Sequence, residues 1–169
     1  MRNIIRYICL LVGVLISIPT IAHNVRMYGY VLDTDGIDVG ATYLIVNSAS
    51  TGSRYVMRRS SSASDRQSVT VKSADGVVYI DSGFSNESYA QFTFTGSASG
   101  NVTNGSYKLA LSSSSATFTT GSSNTSLTFS NQGNGAYRIY RDRSFSDYYL
   151  RYSSNKWSAS SSSNNVYLY

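Results

Sequence analysis

The stretch Ala41-Thr42-Tyr43-Leu44-Ile45-Val46-Asn47, answered after a polar turn by Arg54-Tyr55-Val56-Met57-Arg58, sets a pattern that the chain writes three times. The second copy opens Gln91-Phe92-Thr93-Phe94-Thr95 and answers Ser106-Tyr107-Lys108-Leu109-Ala110-Leu111. The third opens Ala136-Tyr137-Arg138-Ile139-Tyr140 and answers Tyr148-Tyr149-Leu150-Arg151-Tyr152. Each copy reads as a strand with an aromatic near its start, a polar turn, a second strand, a Ser-rich turn and more strand. A repeat of this kind is one supersecondary unit that buries its apolar face only against its neighbours. The opening aromatics Tyr43, Phe92 and Tyr137 fall 49 and 45 residues apart.

Working outward, a lead-in strand is expected over 28–32 and a turn at Asp33-Thr34-Asp35-Gly36, where Asp and Gly accept turn angles. The first unit predicts strands over 43–47, 55–59, 68–72 and 77–81, with Ala74-Asp75-Gly76 as a hairpin turn. The second predicts 91–95, 107–111, 116–120 and 126–130, and the third 137–141, 148–152, 156–160 and 166–169. Residues 84–89 read as a loop, and helical periodicity is absent after residue 22. The pattern is all-β. Twelve short strands in three repeats are the plan of a β-trefoil-like fold, whose closure removes exposed sheet edges. A β-sandwich is the alternative that the turn spacing also allows. In strand 43–47 neither side is polar, so it reads as central. Alternation selects Leu44, Val46, Val56, Val69, Val71, Val78, Phe92, Phe94, Leu109, Leu111, Phe118, Leu127, Ile139, Leu150 and Leu168 as core.

The first 22 residues read as a signal peptide. Arg2 and Arg6 precede an apolar run from Ile8 to Ile18, then Pro19, then Thr20-Ile21-Ala22 with small residues at the cleavage site. The run is shorter than the roughly 20 residues of a spanning helix, so the expected contact with membrane is through this peptide before cleavage. Residues 23–169 are then a single domain outside the cytoplasm, secreted or in the cell envelope. The one cysteine, Cys9, leaves with the peptide, and no disulfide holds the domain. A net charge of +5, or +3 without Arg2 and Arg6, is mild. Acids interrupt the Arg138–Arg151 cluster, which argues against nucleic acid as a partner.

Two stretches resemble a recurring secreted module of Bacteroidetes bacteria. One is Gly36-Ile37-Asp38-Val39-Gly40-Ala41-Thr42-Tyr43-Leu44-Ile45-Val46-Asn47, like the "GxxYLIVN" strand that opens that module. The other runs from Tyr149-Leu150-Arg151-Tyr152 through Lys156-Trp157-Ser158 to Val166-Tyr167-Leu168-Tyr169, like its "YLRYNSxxxxFSxYS" hairpin and final "VYLY", with Trp157 where the pattern has Phe. The resemblance implies location and fold class. The hairpins are also similar to those of ricin-type and fascin-type trefoils, without the Gln-x-Trp sugar signature, so no sugar-contacting residue carries over.

The chemistry the residues permit is narrow. The single histidine, His23, would be the new N-terminus, so nucleophile–histidine catalysis has no base in the folded domain. The acid pairs Asp33/Asp38 and Asp142/Asp147 sit in turn-like segments and read as turn formers rather than a glycosidase pair. Asp33-x-Asp35-Gly36-x-Asp38 resembles part of a calcium loop but lacks its closing Glu and reads as a turn, and zinc has no ligand set. No cofactor or metal is expected. Aromatics instead crowd the last unit: Tyr140, Tyr148, Tyr149, Tyr152, Trp157, Tyr167 and Tyr169. The expectation is a non-enzymatic binding module that holds carbohydrate on an aromatic and polar surface of the third repeat. Tyr149, Arg151, Tyr152, Asn155 and Trp157 are the expected contacts. The alternative is a structural or adhesive surface protein that binds other proteins.

Overall fold

The strand around which the sheet turns is residues 42–46. Its two sides feed two cores: Tyr43 and Ile45 enter one apolar cluster, Leu44 and Val46 the other. The structure, a computed structural model, describes residues 29–169. The expected signal peptide and the lead-in to residue 28 lie outside the described residues.

The described chain is all-β. Its strands are β1 (Tyr30–Val31), β2 (Thr42–Tyr43), β3 (Ile45–Val46), β4 (Gly52–Ser60), β5 (Ala63–Ala74) and β6 (Val77–Ile80). There follow β7 (Phe92–Phe94), β8 (Ser99–Gly100), β9 (Val102–Asn104), β10 (Tyr107–Leu111) and β11 (Ala116–Thr119). The last are β12 (Leu127–Gly133), β13 (Ala136–Arg141), β14 (Tyr148–Ser153), β15 (Lys156–Ser160) and β16 (Val166–Leu168). The one helical element described is a 3-10 turn, Glu87–Tyr89, inside the expected loop.

All strand pairings are antiparallel and join into one sheet, in the order β15-β14-β13-β16-β3-β4-β5-β11-β10-β9-β7-β2. Only Leu44 separates β2 from β3. The far end of the path, where β2 pairs β7 through Tyr43 and Phe92, therefore comes back beside the strand it left. The N–H and C=O of Leu44 are both bonded to Tyr169, at 2.8 and 3.1 Å. Tyr169 thus pairs across Leu44; the β3 half of the strand lies between β16 and β4, as its apolar sides require, while the β2 half ends the path beside β7.

The larger cluster gathers Tyr43, Met57, Phe92, Phe94, Leu109, Phe118, Tyr137, Leu150, Trp157 and Leu168 among others. The smaller holds Leu44, Val46, Val56, Val69, Val71, Ile80, Ala90 and Tyr169. Each large side chain so buried contributes about 1.5–3 kcal/mol relative to exposure. Every expected core residue is buried except Val78, which is half-buried against the smaller cluster. The expected hairpin at Ala74-Asp75-Gly76 forms, with φ of 51° at Asp75 and 80° at Gly76, the pair of positive angles a type I′ turn needs.

The structure departs from expectation in the second unit. The segment read as a turn between Thr95 and Ser106 contains β8 and β9. β8 pairs β12 and β9 pairs both β7 and β10. Val102 is the single large apolar residue there, so alternation had nothing to register.

Candidate functional site

Asp33 begins the site. Its Oδ1 accepts the N–H groups of Asp35 (3.0 Å) and Gly36 (3.1 Å), which closes the expected turn. Backbone bonds hold the approach: the Leu32 N–H donates to Val78 O at 2.8 Å and the Asp33 N–H to Leu168 O at 2.9 Å. Gly135 lies beneath. A Cβ there would come within 2.5 Å of Leu32 Cδ1 and 2.9 Å of the Asp33 carbonyl oxygen, and its φ is +72°. Only glycine lets the Asp33 turn lie this close to the β12–β13 hairpin.

That hairpin supplies the facing wall. Asn131 and Tyr137 are register partners, and the register shifts just beyond them, between Asn131 and Gly133. A bulge re-aims side chains. Here Asn131 Oδ1 accepts the Gly133 N–H at 2.7 Å, which leaves Nδ2 to donate to the Tyr137 hydroxyl at 3.2 Å. Below, Tyr43, Phe94 and Phe129 pack edge to face, with centroids 5.4 and 5.0 Å apart. The Tyr43 hydroxyl accepts the Asp38 N–H at 2.8 Å, pinning the end of the acidic turn.

Between these walls lies a cavity of about 430 Å³, lined by Asp33, Asp35, Asp38, Ser97, Asn131 and Tyr137 over an apolar floor of Ile37 and Phe129. Burial, and then the charge of Asp33, push the Tyr137 phenol up to about 12. Burial also raises the Tyr43 phenol, against the opposing hydrogen bond from Asp38. Both therefore stay neutral hydroxyls at ordinary pH. Asp33 Oδ2 is buried and has no hydrogen-bond partner among the described residues. The Tyr137 hydroxyl is the group that approaches the Asp33 carboxylate, and its interaction with Asp33 adds to the upward shift of the phenol. The wall thus offers carboxylate acceptors, an amide and a phenol to one concave space. Among the described residues no three His, Cys, Asp or Glu side chains converge to hold a metal ion.

The five residues expected in the third unit do not form one surface. β14 alternates, so Tyr149 and Arg151 face outward while Leu150 and Tyr152 face the core side. Tyr149 donates to Asp147 Oδ2 at 3.1 Å and Arg151 Nη1 to Ser160 Oγ at 3.3 Å. Tyr152 stacks on Tyr55 at 5.2 Å and 21° on the other side, and accepts from Arg66 Nη1 at 3.0 Å. Trp157 pairs in register with Tyr152, lies edge-on to its ring at 5.3 Å and is 3% exposed. It plugs the larger cluster and offers no face to a surface ligand, because the apolar side of β15 turns inward. Asn155 is exposed, with φ of 63°, next to Ser154 at 51°. Its role is the β14–β15 turn, where Asn tolerates left-handed angles.

Sequence reasoning missed Ser97, Asn131 and Tyr137 as site residues, and it read Asp33, Asp35 and Asp38 as a plain turn. Nothing local joins positions 33, 97, 131 and 137; the sheet brings them together. Tyr140 and Arg138 were also outside the expected contacts, although the alternation that pairs Tyr140 with Tyr149 in register marks them. The chain matches no protein-family model, no curated protein and no solved structure.

Proposed function

We propose that this chain is a non-enzymatic, extracytoplasmic binding module for carbohydrate, of the secreted Bacteroidetes type, and that its site is the cavity between the Asp33 turn and the β12–β13 hairpin. The observation that carries the reading is the meeting of the Asp33 carboxylate, the Asn131 amide and the Tyr137 hydroxyl around one concave space. Sugar hydroxyls are at once donors and acceptors. A carboxylate accepts two of them, an amide does both, and a neutral phenol with its raised ionisation remains a donor. The cavity lies within the roughly 300–1,000 Å³ of small-ligand sites.

The fold reading that accompanies it is β-trefoil-like. Supporting this is a hairpin turn with left-handed residues in each unit, at Ser61 after β4, Gly105 after β9 and Ser154-Asn155 after β14, beside further such turns at Asp75-Gly76 and Asn134-Gly135. The pairing of the last strand β16 with β3 of the first unit also supports it.

A glycan array with the purified protein, beside folded Tyr137→Phe and Asp33→Asn variants, tests the reading. Selective binding that both variants lose supports it, and an array without any binder retires it. The adhesive alternative draws its support from Phe145, fully exposed on the loop between β13 and β14, and would then lead.

A further inference from the structure

The outer face of β13, β14 and β15 carries a second set of groups that the cavity does not use. Tyr140 and Tyr149 are register partners with ring centroids 4.9 Å apart, tilted by 32°. Arg138 stands two residues before Tyr140, and Arg151 two residues after Tyr149, so alternation puts all four on one face. β13 pairs β14 at Tyr140–Tyr149 and Arg141–Tyr148, and Ala136 and Tyr137 pair with β16, so Arg138 and Arg151 share the face without being ladder partners.

Neither guanidinium is well used inside the molecule. Arg138 Nε reaches Asn165 Oδ1 only at 3.4 Å, and Arg151 Nη1 reaches Ser160 Oγ at 3.3 Å. Arg151 Nε is buried without a partner among the described residues. The ion pairs of the described residues, Arg58–Asp65 and Lys72–Asp81, lie elsewhere. The acid at the margin, Asp147, is engaged by the Tyr149 hydroxyl and, at 3.3 Å, by the Arg143 N–H. Two under-used forks on one face are what an anion relieves, since a guanidinium matches a carboxylate or sulfate with two parallel bonds.

We propose that this face binds an anionic polysaccharide. Acidic groups along the chain accept from Arg138 and Arg151, and the Tyr140 and Tyr149 rings take the C–H faces of the intervening sugars. A nucleic acid fits less well: the net charge without Arg2 and Arg6 is only +3, and Asp147 borders the face. The site is independent of the cavity.

The test is affinity electrophoresis of the purified protein in gels containing polygalacturonate, dextran sulfate or neutral dextran, with competition by duplex DNA. The expected result is retardation by at least one acidic polymer and none by dextran. Arg138→Gln and Arg151→Gln should each weaken retardation by about tenfold, the scale of a charged hydrogen bond, while Lys72→Gln, which removes an exposed cation of β5 paired with Asp81, leaves it unchanged. Arg138 is only half-buried, so its variant serves even where Arg151→Gln does not fold. Absence of retardation, equal retardation of Arg138→Gln, or DNA competing as well as the polymer itself would overturn the proposal.

Discussion

The hydroxyl of Tyr137 accepts from Nδ2 of Asn131 at 3.2 Å, across a register pair that sits directly before a bulge. The ring of Tyr137 belongs to the larger core while its oxygen lines the cavity. One residue therefore couples the packing of the sheet to the polar wall of the site. Its backbone is tied in turn to β16, through the pairing of Tyr137 with Val166.

Removing only that oxygen separates the two roles. Tyr137→Phe keeps the ring and loses a hydrogen bond of about 0.5–1.5 kcal/mol. Ligand affinity on the array should fall about three- to tenfold, and unfolding stability by no more than that one internal hydrogen bond, about 0.5–1.5 kcal/mol. Stability that falls while affinity stays the same would show the hydroxyl to be structural instead.

Gly135 carries the approach of the two walls. Gly135→Ala meets Leu32 and the Asp33 carbonyl at a positive φ, so the Asp33 turn must move. The expected cost is about 1–3 kcal/mol, read by urea denaturation, together with loss of glycan binding. Full stability with intact binding would show that the turn has more room than these contacts allow.

The strands were legible where alternation was strong. Tyr43 to Asn47 announced a strand apolar on both sides, and the fold buries both. Asp75-Gly76 announced its turn because few residue pairs accept two positive φ angles. β8 and β9 were not legible, since Ser97 to Asn104 offers Val102 alone. Nor was the burial of Trp157. Tyr149, Arg151, Tyr152 and Trp157 are all amphipathic in sequence, and Tyr152, against which Trp157 packs, meets its stacking partner in Tyr55 on β4, far away in the chain. The cavity was illegible for the same reason, being assembled from three separate segments.

Trp157 is consequently a stability residue. Trp157→Ala should cost about 3–5 kcal/mol and fail as a binding control. Trp157→Phe should cost clearly less, because the indole Nε1 has no hydrogen-bond partner among the described residues to lose. Thermal melts of the two variants check this, and equal melting temperatures for wild type and Trp157→Ala would contradict the buried position.

Alkaline pH should loosen the fold through its buried phenols. Tyr30 and Tyr137 are both raised from 10.0 to about 12 by burial, foremost, and then in Tyr137 by the charge of Asp33. Burial raises Tyr169 as well. Above their usual value the unfolded chain gives up these protons while the folded chain holds them. The stability they contribute is therefore complete below about pH 10 and is lost as pH rises through about 12. Tyr30 also accepts from Gln91 Nε2 at 2.6 Å and donates to Glu87, so Tyr30→Phe should flatten the slope at some cost in stability at neutral pH. Urea midpoints measured from pH 9 to 12 read both effects, the range being set by these raised values. A wild-type midpoint that stays level across it would mean that these hydroxyls ionise as readily in the folded protein as in water.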